Sequence, residues 1–155
     1  MNRLARGALA GLAATVPMTV AMQVMHRRLP WHLRYPLEPR RITERIARRI
    51  GLDQHMDEPD QRWAALACHF AYGSAAGAVY SSIMPLIRIP PATRGAAFGL
   101  LLWAAGYLGW LPATGILEPD TRRPRRRAAI MVLSHLVWGA FAGHLADSDF
   151  SRSKQ

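Results

Sequence analysis

Charged side chains are missing from four long stretches of this chain: Gly7 to Met25, Trp63 to Ile87, Gly95 to Leu117 and Ala128 to Ala146. The shortest runs 19 residues, which as an α-helix extends about 28 Å. A bilayer core is about 30 Å thick and takes roughly 17 to 25 apolar residues to cross. Helices at the surface of soluble domains keep a charged face opposite the apolar one, and these stretches have none. The pattern predicts an all-α chain whose four stretches are transmembrane helices.

The stretches come in two similar pairs. Gly7-Ala-Leu-Ala-Gly11-Leu12 opens the first and Gly95-Ala-Ala-Phe-Gly99-Leu100 the third. After each comes a Leu-Pro step (Leu29-Pro30, Leu111-Pro112), a Leu-Glu-Pro (Leu37-Glu38-Pro39, Leu117-Glu118-Pro119) and an arginine-rich segment. The second stretch then carries His69, Tyr72, Gly73, Ala76 and Gly77, and the fourth carries His135, Trp138, Gly139, Ala142 and Gly143 at the same spacing. This order predicts one integral membrane domain, residues 1–155, built as a four-helix bundle of two two-helix repeats, 1–88 and 89–155. Each half crosses twice, so both enter the membrane in the same direction and the repeat is parallel.

Composition fits that reading once the charges are located. Half of the 155 residues are apolar and the net charge is +10; a mean hydropathy of −0.01 hides the separation of the two. Of the 20 Lys and Arg residues, 14 fall in the segments after the first and third stretches. By the positive-inside rule those segments are cytoplasmic and both termini lie outside. In a bacterium that means a multi-pass protein of the inner (plasma) membrane. The first stretch follows Arg3 and Arg6 as a signal peptide would, but it is longer than the usual apolar run and its pattern recurs, so it is expected to stay.

The segment between the first two stretches has its own pattern. Ile42, Ile46 and Ile50 recur every fourth residue, with Arg45, Arg48 and Arg49 beside them. This predicts a short amphipathic helix at the interface, its basic residues facing an anionic inner leaflet. So many arginines could also form a nucleic-acid arm, but tethered to membrane spans they are read as topology determinants and lipid contacts. No nucleic-acid partner is expected.

Candidate chemistry is sparse. Cys68 is the single cysteine, and no nucleotide loop, zinc spacing or catalytic triad is present. No catalytic residue and no metal site are therefore assigned, and the chain is expected to be non-enzymatic. Gly73, Gly77, Gly139 and Gly143 allow backbones to approach and are assigned to helix packing. Such faces also suit a homo-oligomer or a membrane-protein partner. Pro17 should kink the first helix, with Thr15 and Thr19 taking up freed backbone groups. Glu38 and Glu118 are expected to pair with arginines at the surface.

His69 and His135 lie at matching depth, about 10 Å into their stretches at 1.5 Å per residue. An ionisable residue inside a span is a functional-site hypothesis by default. Cross-helix hydrogen bonding is the plainest use, and no cofactor is expected on it. The alternatives are a b-type haem or a quinone held by the two imidazoles, and a small-solute or proton conduit between the halves.

The Gly-Ala-x-x-Gly-Leu element, Trp103 to Leu111 followed by Pro112, and His135-Leu-Val-Trp138 together resemble the YagU-like family of small bacterial inner-membrane proteins. The resemblance is clearest from Gly95 to Ala146. It implies a polytopic inner-membrane protein of uncharacterised molecular function, linked to acid or envelope stress tolerance, and it brings no catalytic residues.

Overall fold

A computed structural model describes residues 2–83 and 89–152. Among the described residues all regular structure is helical. Five helices carry the fold: α1 (Arg3–Arg27), α2 (Glu38–Arg49), α3 (Glu58–Ile83), α4 (Pro91–Ala113) and α5 (Arg125–Arg152). Asn2 caps α1 by accepting the Ala5 N–H at 2.8 Å, which satisfies a donor the helix itself leaves open. Gly51 (φ 73°) ends α2 and Gly115 (φ 67°) closes the turn after α4. In both, backbone N–H groups fold back onto the last helical carbonyls, as in Leu52 N–H to Ala47 O and Ile116 N–H to Leu111 O. That closure needs a left-handed residue, which only glycine adopts without strain.

Three described helices are long and apolar enough to cross a bilayer: Arg3–Arg27, Pro91–Ala113 and Arg125–Asp147. That is compatible with a membrane protein. Helix α3 is not among them; the end of its charge-free stretch, residues 84–87, lies outside the described residues, as does Arg88. The surface points the same way. Leu9, Leu12, Val16, Val20 and Val24 of α1, and Leu101, Leu133 and Phe141 elsewhere, are exposed, while glycines set the contacts of α1 with α3 and of α4 with α5. Between the two pairs the buried side chains are large, Met18, Tyr80, Phe98 and Trp138 among them. Leucines and valines turned outward and glycines in the seams suit a lipid solvent, where apolar surface carries no penalty and close backbone packing holds helices together.

The packing is set by glycine. A Cβ added at Gly11 would strike the Gly73 carbonyl and lie 2.8 Å from the Gly77 Cα. One at Gly77 would lie 2.7 Å from the Gly11 Cα. Helices α1 and α3 are thus in backbone contact. The pair α4 and α5 repeats the arrangement: a Cβ at Gly95 would lie 2.9 Å from the Gly143 Cα, and one at Gly139 would lie 2.7 Å from the Gly95 carbonyl carbon.

The two pairs join along α1 and α5. There Trp138 donates its indole N–H to the Gly11 carbonyl at 3.1 Å, and Ala14, Thr15, Ser134 and Ala142 are fully buried. Helices α3 and α4 have no comparable seam. They meet through Tyr80, whose ring sits 5.4 Å from that of Phe98 and whose hydroxyl accepts from Arg94 at 3.1 Å. From that point toward α2 the pair diverges.

Pro17 stands inside α1 and removes the donor that would bond the Ala13 carbonyl. The Thr15 and Thr19 hydroxyls do not compensate it. They bond the Gly11 and Thr15 carbonyls, at 2.8 and 2.7 Å, one turn back from themselves, because a threonine in a helix reaches its own i−4 carbonyl first.

Gly77→Leu or Gly139→Leu should sharply lower thermal stability in detergent, since each side chain would meet backbone that cannot move aside. Gly109→Ala should leave the melting temperature unchanged, because its nearest neighbour would be 3.8 Å away. Equal melting temperatures for all three would refute glycine-set packing.

Candidate functional site

The divergence of α3 and α4 leaves a cavity of about 240 Å³. Helix α1 supplies Thr15, Met18 and Met22, α3 supplies Cys68, His69 and Tyr72, and α5 supplies Met131, His135 and Trp138. No charged side chain lines it. The two histidines singled out in the sequence are therefore brought to one space.

The α4 wall owes its shape to Pro112. Proline has no N–H, and its ring crowds the carbonyl four residues back. The preceding six residues, Ala105–Trp110, form a π-helical turn, which takes one extra residue per turn and often accompanies a functional site. It turns Gly106, Tyr107 and Trp110 to the cavity. In the sequence only Pro112 signals the extra residue that redirects them.

His135 is buried and its Nδ1–H donates to the Met131 carbonyl at 2.7 Å. The acceptor there is a carbonyl, so Nδ1 carries the proton and Nε2 keeps a lone pair. Tyr107 packs edge-on to this ring at 5.7 Å and points its hydroxyl at the Met131 sulfur, 3.5 Å away. His69 is half-buried, and its buried Nε2 has no hydrogen-bond partner. Leaving such an atom unpaired costs about 1–3 kcal/mol.

Helix α2 covers the open end. Pro39, Ile42, Thr43 and Ile46 line the cavity; of the isoleucine stripe, Ile42 packs against the core, Ile46 sits at the cavity mouth and is partly exposed, and Ile50 is exposed. Arg45 donates to the Ile116 carbonyl, and Arg49 to the Thr114 carbonyl at 2.6 Å. Both cap the carbonyl-rich end of α4, where cations are favoured. Arg48 is exposed. Gly73 lies at the cavity edge with Thr15 packed against it; Gly77, Gly139 and Gly143 lie in the helix seams.

A buried ion cluster anchors α2. Glu38 is wholly buried, and its Oε1 accepts from Arg123 and, at 2.7 Å, from Arg127. Arg123 also donates to Asp120 at 2.7 Å, and Asp120 accepts from the Trp103 indole at 2.9 Å. Arg127 further bonds the Leu33, Tyr35 and Pro36 carbonyls, each at 2.9 Å, with its guanidinium 3.7 Å above the Tyr35 ring. Burial works against the Arg123 charge, but Glu38 and Asp120 outweigh it and hold its pKa above the ordinary value. The expected surface pairing of Glu38 is thus corrected: Arg123 and Arg127 reach it from 85 and 89 residues away, which local spacing does not reveal. Glu118, its sequence counterpart, is exposed.

Among the described residues no group of three His, Cys, Asp or Glu side chains forms a metal set. No family model matches the chain, and neither a curated protein nor a solved structure does.

Glu38→Ala would leave two arginines buried without their shared acceptor. It should cost about 3–5 kcal/mol, whereas Glu118→Ala should fall within about 0.5 kcal/mol of the parent. Denaturant titration in mild detergent would compare them, and similar midpoints would remove the cluster from its anchoring role.

Proposed function

We propose that this chain is a non-enzymatic, four-span protein of a bacterial inner membrane, built from two parallel helix-pair repeats, that holds a small apolar molecule between its halves. The cavity between α3 and α4 carries this reading. An engineered protein cavity of about 150 Å³ takes up benzene, so about 240 Å³ suits a molecule of one or two rings. A ring of quinone size is favoured over haem b, whose macrocycle is far larger. The apolar walls and the few convergent polar atoms are those of a ligand site.

The packing supports the repeat in kind, with a shift of one turn in register. Gly11 meets Gly73 and Gly77, whereas Gly95, the counterpart of Gly7, meets Gly139 and Gly143, and Gly99 meets Gly139 and the His135 backbone. The fourth span is supported by α3, whose 26 residues extend about 39 Å in backbone contact with α1. Arginine placement supports cytoplasmic loops and outer termini. Self-association through Gly73, Gly77, Gly139 and Gly143 is less favoured, because those positions are filled from within the chain. A setting in acid or envelope stress rests on the family resemblance.

Reporters active only in the cytoplasm should work when fused near Gly51 and Arg122 and fail at Gln155; a signal at Gln155 would reverse the orientation. Organic extraction of the protein purified from its native membrane should release a small ring compound in near-equimolar amount. Gly106→Leu, which has room for its Cβ but fills the cavity, should lose that compound with its helix content unchanged. A parent protein that releases nothing and binds no one- or two-ring probe would end the binding proposal.

A further inference from the structure

We infer that the molecule held between α3 and α4 is a neutral phenol or hydroquinone whose ring hydroxyl donates a hydrogen bond to His135 Nε2. This rests on the cavity being a binding site and says what chemistry that site selects.

His135 has given its Nδ1 proton to the Met131 carbonyl at 2.7 Å. Thr15 has given its hydroxyl proton to the Gly11 carbonyl at 2.8 Å, and Trp138 its indole proton to the same carbonyl at 3.1 Å. The Tyr107 hydroxyl is turned to the Met131 sulfur at 3.5 Å. These four side chains line the cavity, and each has its polar hydrogen committed inside the protein. What they leave for a guest is lone pairs, and the imidazole Nε2 is the strongest acceptor among them.

The polar hydrogens that remain are the Trp110 indole, the Tyr72 hydroxyl and the Cys68 thiol on the exposed rim, and the one ring N–H of His69 on the α3 wall. A guest therefore meets an acceptor at His135 on the α5 side and donors on the α3 side and the rim. A carbonyl-ended molecule such as a quinone would set oxygen lone pairs against the nitrogen lone pair of His135, leaving both unpaired. A carboxylate fares worse, since it brings only acceptors and a charge to a lining without cations. An alkane or acyl chain would fill the volume and leave Nε2 unused. A ring hydroxyl fits both requirements, because it donates inward while its flat ring occupies the apolar space beside Tyr107. The second hydroxyl of a hydroquinone, which both donates and accepts, could pair with the rim or with the buried, unpartnered Nε2 of His69 in either tautomer.

The test uses the full chain in detergent and two isomeric probes of the same size, 4-propylphenol and 4-ethylanisole, a methyl ether that lacks the donor. Binding is read by titration calorimetry, with the Gly106→Leu protein as the background. The parent should bind the phenol about tenfold more tightly than the ether, the worth of one net hydrogen bond. His135→Phe should bind both alike, at the ether's affinity. Because the parent comparison alone decides the matter, a failure of that variant to fold leaves the test intact. On adding phenol, the ¹⁵N signal of His135 Nε2 should move toward that of a hydrogen-bonded acceptor, and the ether should not move it. Equal binding of phenol and ether above background would overturn the donor requirement while keeping the cavity as a site. Binding of neither above background would overturn both.

Discussion

Where Gly11 faces Gly77, and Gly95 faces Gly139 and Gly143, two helix backbones touch with no side chain between them. That contact governs the rest of the molecule. In water, helices associate by burying large apolar side chains; in lipid those side chains gain nothing by turning inward, and close backbone approach takes over. The glycine seams bring α1 to α3 and α4 to α5. They also push the leucines and valines to the outside, where they are found.

The two pairs then have one good seam to share, along α1 and α5, closed by Trp138 on Gly11. In a symmetric assembly of the proposed repeats, α3 and α4 would make the equivalent seam. They do not, because Tyr80, Phe98 and Arg94 wedge them at one end and the π-turn before Pro112 redirects α4 at the other. The cavity is the space left by that broken symmetry. Helix α2 covers it, and the buried Glu38, Arg123, Asp120 and Arg127 hold α2 down. The segment between α1 and α3 thus closes a gap that the shorter segment between α4 and α5, which holds no helix like α2, leaves open.

Much of this was legible in the residues and some was not. The helical character of α1, α4 and α5, and a length and apolarity sufficient to cross a bilayer, follow from absent charge, a signal that needs no knowledge of neighbours. The small faces of Gly73, Gly77, Gly139 and Gly143 were visible for the same reason, since i, i+4 spacing fixes a face. Three things were not, two of them resting on contacts far apart in sequence and one on a local change in helix type. Glu38 looked like a surface acid because its partners lie more than 80 residues away. The isoleucine stripe of α2 suggested a lipid surface, because the pattern shows an apolar face and not what covers it. Tyr107 and Trp110 reach the cavity through a π-turn, and a single proline is a weak sign of so specific a change.

A structure in a lipidic crystal soaked with 4-bromophenol would test the central claim most directly, because bromine marks its own position. The account predicts an anomalous peak between α3 and α4, with the phenol oxygen within hydrogen-bond distance of His135 Nε2 and α2 closed over the ring. A crystal without that peak, in which α3 and α4 pack together along their length, would contradict it.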